Sequence, residues 1–170
     1  MNIVHKNLIW TFFVALLLNV TIPIIWPSWR LFFFAPFLII LYYQKPLTTC
    51  LWGAMLCGLV LDLLSTRTHF GLYALNYALT TLVLYPQQRH FFGDNLSTLP
   101  LMTYFFSFLS TLLQSLLMYT FGSPFLISWH WIFADLFLMP LCDSAYAFIC
   151  FILPWKLFGP PQRKGSDYFT

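Results

Sequence analysis

The chain has 170 residues, of which 60% are hydrophobic and only 8% are charged, and its formal net charge is +3. A soluble domain of this size would carry roughly a quarter charged residues. The composition therefore excludes a separate water-soluble domain and predicts a single membrane domain over residues 1–170. Its lysines and arginines are scattered, whereas a nucleic-acid surface needs them clustered, so no nucleic-acid partner is expected.

Long apolar segments predict an all-α integral membrane protein with about six transmembrane helices, since a crossing helix needs about 20 apolar residues. The first segment is interpreted as an uncleaved span, because Asn19–Pro23 does not resemble the small-residue cleavage site of a secretion signal. The second segment is short and contains Pro36, and whether it crosses fully is left open. In chain order, the predicted spans are approximately 8–26, 28–43, 47–64, 70–86, 97–121 and 132–155.

The basic residues predict the orientation of these spans. Six crossings with the N- and C-termini in the cytoplasm leave only Arg30 and Arg67 outside. The excess of positive charge then lies on the cytoplasmic side, in agreement with the positive-inside rule. The inner residues would be Lys6, Lys45, Arg89, Lys156, Arg163 and Lys164.

The third segment carries the sharpest local pattern. Ala54, Gly58 and Asp62 recur every four residues and therefore share one helix face. Small residues at this spacing let two membrane helices approach closely. The pattern predicts a helix-packing face or a partner-binding face, with transport or catalysis as a weaker alternative. Asp62 could also brace the following loop, by pairing with Arg67 or by accepting backbone N–H bonds within residues 65–71, which end at Gly71.

Four further polar residues fall inside predicted spans, where such side chains face other helices, cavities or partners. Asp135 and Asp143 are separated by Pro140 and by about 12 Å of helix rise. We therefore expect separate polar contacts, with a proton relay as the alternative. The fifth segment places most of its polar side chains on one face, which favours interior packing. The four further candidates are Asn76, Gln114, Asp135 and Asp143, and the fifth-segment face comprises Thr103, Ser107, Ser110, Thr111 and Gln114.

No pattern in the sequence indicates an enzyme. The four cysteines lie in apolar runs without a CxxC pair, and no histidine has a partner at metal-ligand spacing. Asp143-Ser144 lacks the surroundings of a nucleophile elbow. We therefore predict no catalytic residue, no metal and no cofactor.

Residues from Pro27 to about Leu84 resemble the rod shape-determining MreD family. The core of the likeness is the phrase G-L-x-x-D-L-L-S followed by G-L-x-A-L. The resemblance as a whole covers about a third of the chain. The matching positions are Pro27-x-Trp29, Leu41-Tyr42-Tyr43, Gly53, Gly58-Leu59, Asp62-Leu63, Ser65, Gly71 and Ala74-Leu75.

This resemblance implies a bacterial inner-membrane protein that is a non-enzymatic scaffold or regulator of peptidoglycan synthesis during cell elongation. The partners it implies are an MreC-like protein, the MreB filament system, and a RodA-type glycosyltransferase with its penicillin-binding transpeptidase, beside membrane lipid. The family also resembles the six-helix substrate-binding S components of vitamin transporters. That likeness supplies the expected fold and an alternative function, a substrate-binding transporter subunit.

Overall fold

The computed structural model describes residues 7–25, 31–65, 70–90, 98–121 and 132–152. Over these ranges the chain is helical and contains no strand, which confirms the all-α prediction. The helices are α1 (Leu8–Ile25), α2 (Ala35–Gln44), α3 (Leu47–Leu64), α4 (Leu72–Leu84), which continues as a 3₁₀ helix over Tyr85–His90, and α5 (Thr98–Thr120). The last helix consists of a π-helical segment (Ile132–Leu138), α6 (Met139–Ala147) and a second π-helical segment (Phe148–Ile152).

Three helices in the described part of the chain are long and apolar enough to cross a membrane. They are Leu47–Leu64, Thr98–Thr120 and Phe133–Ile152. Leu8–Ile22 and Ala35–Gln44 are shorter apolar helices. These lengths are those of a membrane protein, and six crossings stay a prediction.

The distribution of polar and apolar side chains also fits a membrane protein. On α5, Thr103, Ser107 and Ser110 are fully buried, whereas Leu101 and Leu116 are 44% and 59% exposed. Large apolar side chains on the outside and small polar ones between the helices suit a protein whose solvent is hydrocarbon, because buried hydroxyls there bind neighbouring helices or their own backbone.

The short helix α2 lies at the centre of the molecule. Every residue from Ala35 to Tyr42 is buried, and the helix contacts α1, α3 and α5. A helix that is apolar on all sides needs such a position. Leu38, Ile39 and Ile40 are fully buried and form the middle of the core together with Phe33 and Phe34.

Two helices differ from the predicted segments. α2 begins at Ala35 rather than near residue 28, and Leu31–Phe34 form a turn. Pro36 explains this, because a proline ring inside a helix would clash with the carbonyl four residues earlier, that of Phe32. In its first turn a helix tolerates a proline well. The fourth helical segment extends beyond residue 86, to His90, in 3₁₀ geometry.

Candidate functional site

The junction between α3 and α4 is built around the carboxylate of Asp62. Asp62 lies in the last turn of α3 and is only 4% exposed. Its Oδ1 accepts a hydrogen bond from the backbone N–H of Tyr73, and its Oδ2 accepts one from that of Ala74, both at 3.1 Å. The first N–H groups of a helix have no partner within it and carry partial positive charge. Asp62 therefore caps the start of α4 from the preceding helix.

The donors differ from the expectation that Asp62 would bind N–H groups within residues 65–71. The groups that need an acceptor are those in the first turn of α4, which begins at Leu72. Gly71 precedes this turn with φ of +91°, a left-handed conformation that a residue without Cβ adopts easily. The proposed pairing of Asp62 with Arg67 lies outside the described residues.

Gly58 and Ala54 continue the same face of α3 towards its N-terminus. A Cβ added to Gly58 would lie 2.6 Å from the backbone nitrogen of Ala74 and 2.6 Å from the carbonyl oxygen of Tyr73. The two helix backbones are thus in direct contact at this level. Ala54 is fully buried as well. The structure places the Ala54-Gly58-Asp62 face inside the molecule, where Gly58 and Asp62 contact the first turn of α4.

Asp143 forms a second buried polar centre. Its side chain is fully buried on α6, its Oδ1 accepts the backbone N–H of Phe32 at 2.9 Å, and its Oδ2 accepts the hydroxyl of Ser107. One carboxylate thus connects the last helix, α5 and the turn that precedes α2. Because Ser107 is also fully buried, no substrate can reach this hydroxyl in the conformation described.

Asn76 joins α4 to α5. Its Nδ2 donates to the hydroxyl oxygen of Ser110 at 2.8 Å, and both side chains are fully buried. The hydroxyl of Thr80 donates to the backbone oxygen of Asn76 at 2.8 Å. Asn76 is therefore a helix-to-helix contact.

Gln114 and Asp135 lie together in a cleft of about 130 Å³. The cleft is formed where the end of α3, the start of α4, the second half of α5 and the first π-helical segment meet. Asp135 is partly buried and belongs to that π-helical segment. The two aspartates of the last helix thus occupy different surroundings: Asp143 binds Phe32 and Ser107, whereas Asp135 lines the cleft. The lining residues are Leu31, Phe32, Leu61, Tyr73, Thr111, Gln114, Ser115, Met118, Asp135 and Met139.

No group of three or more histidine, cysteine or acidic residues within the described ranges could hold a metal ion. Cys50 and Cys57 are buried, Cys142 and Cys150 are partly buried, and all four are free thiols.

Several partners of the site residues could not be read from the sequence. Phe32 contributes a backbone N–H, which no side-chain pattern reveals. Ser107 lies on the predicted polar face of α5, but nothing in the sequence pairs it with Asp143, 36 positions away. Tyr42 and Thr81, whose hydroxyls are 2.8 Å apart between α2 and α4, form a further buried contact that periodicity did not indicate.

Comparison of the chain with family models, with curated proteins and with solved structures gave no match.

Proposed function

We propose that the chain is a non-enzymatic scaffold of the peptidoglycan synthesis machinery of cell elongation, in the inner membrane of a bacterium. The observation that carries the proposal is the joint geometry of Gly58, Asp62, Gly71 and Ala74, four positions of the MreD-like phrase. Asp62 caps the helix that Gly71 introduces, and Gly58 contacts the backbone of Ala74. The spacing of the phrase thus places these four residues where α3 and α4 pack closely as a hairpin.

The architecture we propose is six crossings with both termini in the cytoplasm, similar to the S components of vitamin transporters. α2 has 10 residues and rises only about 15 Å, half of a hydrocarbon core of about 30 Å. It would cross together with the turn that precedes it. Non-helical backbone is tolerated at membrane depth where protein surrounds it. Support comes from Phe33 and Phe34, which are buried, and from the N–H of Phe32, which binds Asp143.

The proposed partners are an MreC-like protein, the MreB filament system, and a RodA-type glycosyltransferase with its transpeptidase. A scaffold needs surfaces for partners rather than a reactive site. The polar residues Asp62, Asn76 and Asp143 are each used in contacts between helices or with the backbone of the chain itself, which leaves them without a free reactive group.

Co-purification tests this proposal. The tagged chain, expressed at native level, should retain the MreC-type and RodA-type proteins encoded by the same genome. Its depletion should turn rod-shaped cells round. Asp62→Ala serves as a folding-sensitive variant, and its recovery is normalised to the monodisperse fraction in size-exclusion chromatography. Capture of neither partner, together with unchanged cell width on depletion, would contradict the proposal.

The cleft beside Asp135 favours a second candidate, a substrate-binding transporter subunit. Its volume of about 130 Å³ is below the roughly 300–1,000 Å³ of sites that enclose a whole small-molecule ligand, which is why the scaffold is preferred. Native mass spectrometry against a panel of vitamins separates the two candidates. A tightly retained vitamin and a co-purifying ATPase would establish the transporter role instead.

A further inference from the structure

The mostly apolar cleft at Asp135 includes four residues, Thr111, Gln114, Ser115 and Asp135, whose side chains carry hydrogen-bond acceptors. The hydroxyl of Thr111 donates its proton to the backbone oxygen of Ser107, and that of Ser115 donates to the backbone oxygen of Thr111, both at 2.8 Å. Their lone pairs stay available to a group in the cleft. Gln114 adds a carbonyl oxygen and Asp135 a carboxylate.

Within the described part of the chain, the carboxylate of Asp135 has no hydrogen-bond partner. No described residue donates a hydrogen bond to it, in contrast to Asp62 and Asp143, each of which accepts two. It lies within a helix long and apolar enough to cross the membrane, where an ionisable side chain without a partner is costly. The segment around it is π-helical, a rare geometry that frequently occurs at functional sites.

We propose that this cleft binds a primary ammonium group, supplied by a small free amine or by the headgroup of an aminophospholipid. The group offers three N–H donors and a positive charge to a set of oxygen acceptors with one carboxylate. Leu31, Leu61 and Met118 provide apolar wall for an attached alkyl chain, which favours an organic cation over a bare metal ion.

The size of the cleft sets the size of the ligand. Its volume of about 130 Å³ is close to that of an engineered cavity of roughly 150 Å³ that holds benzene. It therefore accepts an ammonium with a few attached carbons, or the end group of a longer molecule. The inference is independent of the proposed scaffold role, because it concerns only the chemistry of the cleft.

Binding of a free amine is tested with n-butylammonium on the purified full chain in detergent. Its quaternary analogue butyltrimethylammonium has the same charge but no N–H donor. We expect n-butylammonium to raise the melting temperature in a concentration-dependent manner and the analogue to have no effect. Asp135→Asn should weaken the affinity about tenfold or more, because a charged hydrogen-bonding partner is lost. Asp94→Asn, which removes a carboxylate elsewhere in the sequence, should bind as the native chain does.

The lipid source is tested in nanodiscs that contain either phosphatidylethanolamine or phosphatidylcholine, followed by native mass spectrometry. Retention of phosphatidylethanolamine that Asp135→Asn abolishes would assign the cleft to a lipid headgroup. An effect of n-butylammonium alone would assign it to free amines. Size-exclusion profiles and melting temperatures without ligand establish that each variant is folded, and Gln114→Leu provides a second lesion in the same cleft. The proposal is overturned if neither source binds, or if binding is the same in the native chain and in folded Asp135→Asn.

Discussion

Asp62 and Gly58, one helical turn apart, fix the α3–α4 hairpin by different means. Asp62 supplies two acceptors to N–H groups of α4 that no helical bond can reach. Gly58 has no side chain, and this lets the backbone of α4 lie against α3. The two effects can be separated by substitution.

Asp62→Ala should lower the free energy of unfolding by about 2 kcal/mol, because hydrogen bonds to a charged group are worth roughly 1.5–3 kcal/mol. Asp62→Asn keeps one acceptor oxygen, so its loss should be intermediate. Reversible unfolding in mixed micelles, followed by circular dichroism, measures both. Asp94→Ala is the matched control. Equal stability of Asp62→Ala and the native chain would show that the cap is unimportant.

Gly58→Ala should destabilise the protein by about 1–3 kcal/mol, the usual cost of overpacking a filled interior. The added methyl group would meet backbone atoms of Tyr73 and Ala74, which cannot turn aside. Gly53→Ala is the control in the same helix. Its Cβ would meet only the end of the Leu41 side chain, at 2.7 Å, and that side chain can rotate. If the two variants unfold at the same denaturant concentration, the contact is not close.

Asp143 stabilises the turn that precedes α2. Leu31–Phe34 form a turn outside the helix, and Asp143 accepts the N–H of Phe32 from the facing helix. In hydrocarbon such a group costs several kcal/mol when it has no partner. The carboxylate therefore supplies the acceptor that a backbone N–H in this turn needs.

Asp143→Leu should be much more destabilising than Asp143→Asn. Leucine fills a similar volume but leaves the N–H of Phe32 and the hydroxyl of Ser107 without an acceptor, at about 1–3 kcal/mol for each buried group. Asparagine retains an oxygen for Phe32, and its amide can donate to Ser107. A double-mutant cycle with Ser107→Ala measures the coupling, which should exceed about 0.5 kcal/mol. Strict additivity, or equal loss in the leucine and asparagine variants, would contradict this role.

For the individual helices, the sequence predicts their positions in the chain better than the contacts between them. The apolar run 47–64 coincides with α3, because it contains no proline and no two consecutive glycines. The helix boundary near Pro36 cannot be read from the sequence, since a proline indicates a break but not whether the helix lies before or after it. The polar face of α5 predicts burial of Thr103, Ser107 and Ser110. The partners of these residues depend on how three helices rotate against each other, and a single sequence holds no record of that rotation.

Across the described ranges the molecule exposes many large apolar side chains and buries many of its polar ones beside an apolar core. Trp10, Trp52 and Tyr119 are about 70% exposed, whereas Asn76, Asp143 and Thr81 are fully buried. Such a surface would aggregate in water and is stable in lipid. The composition predicts this arrangement, because 60% hydrophobic residues cannot all be covered in a chain of this length. The cleft at Asp135 could not be predicted, since it depends on the meeting of four separate helical segments.

The measurement that tests the account most directly is the transmembrane topology of the intact chain in cells. Replacing Cys50, Cys57, Cys142 and Cys150 by serine or alanine allows a single new cysteine to be followed with a membrane-impermeant maleimide. Six crossings predict that Arg67→Cys is labelled in intact cells, whereas cysteines added at the two termini are labelled only after the inner membrane is permeabilised. Labelling of one terminus but not the other in intact cells would contradict the proposed architecture, and with it the proposed role of the protein.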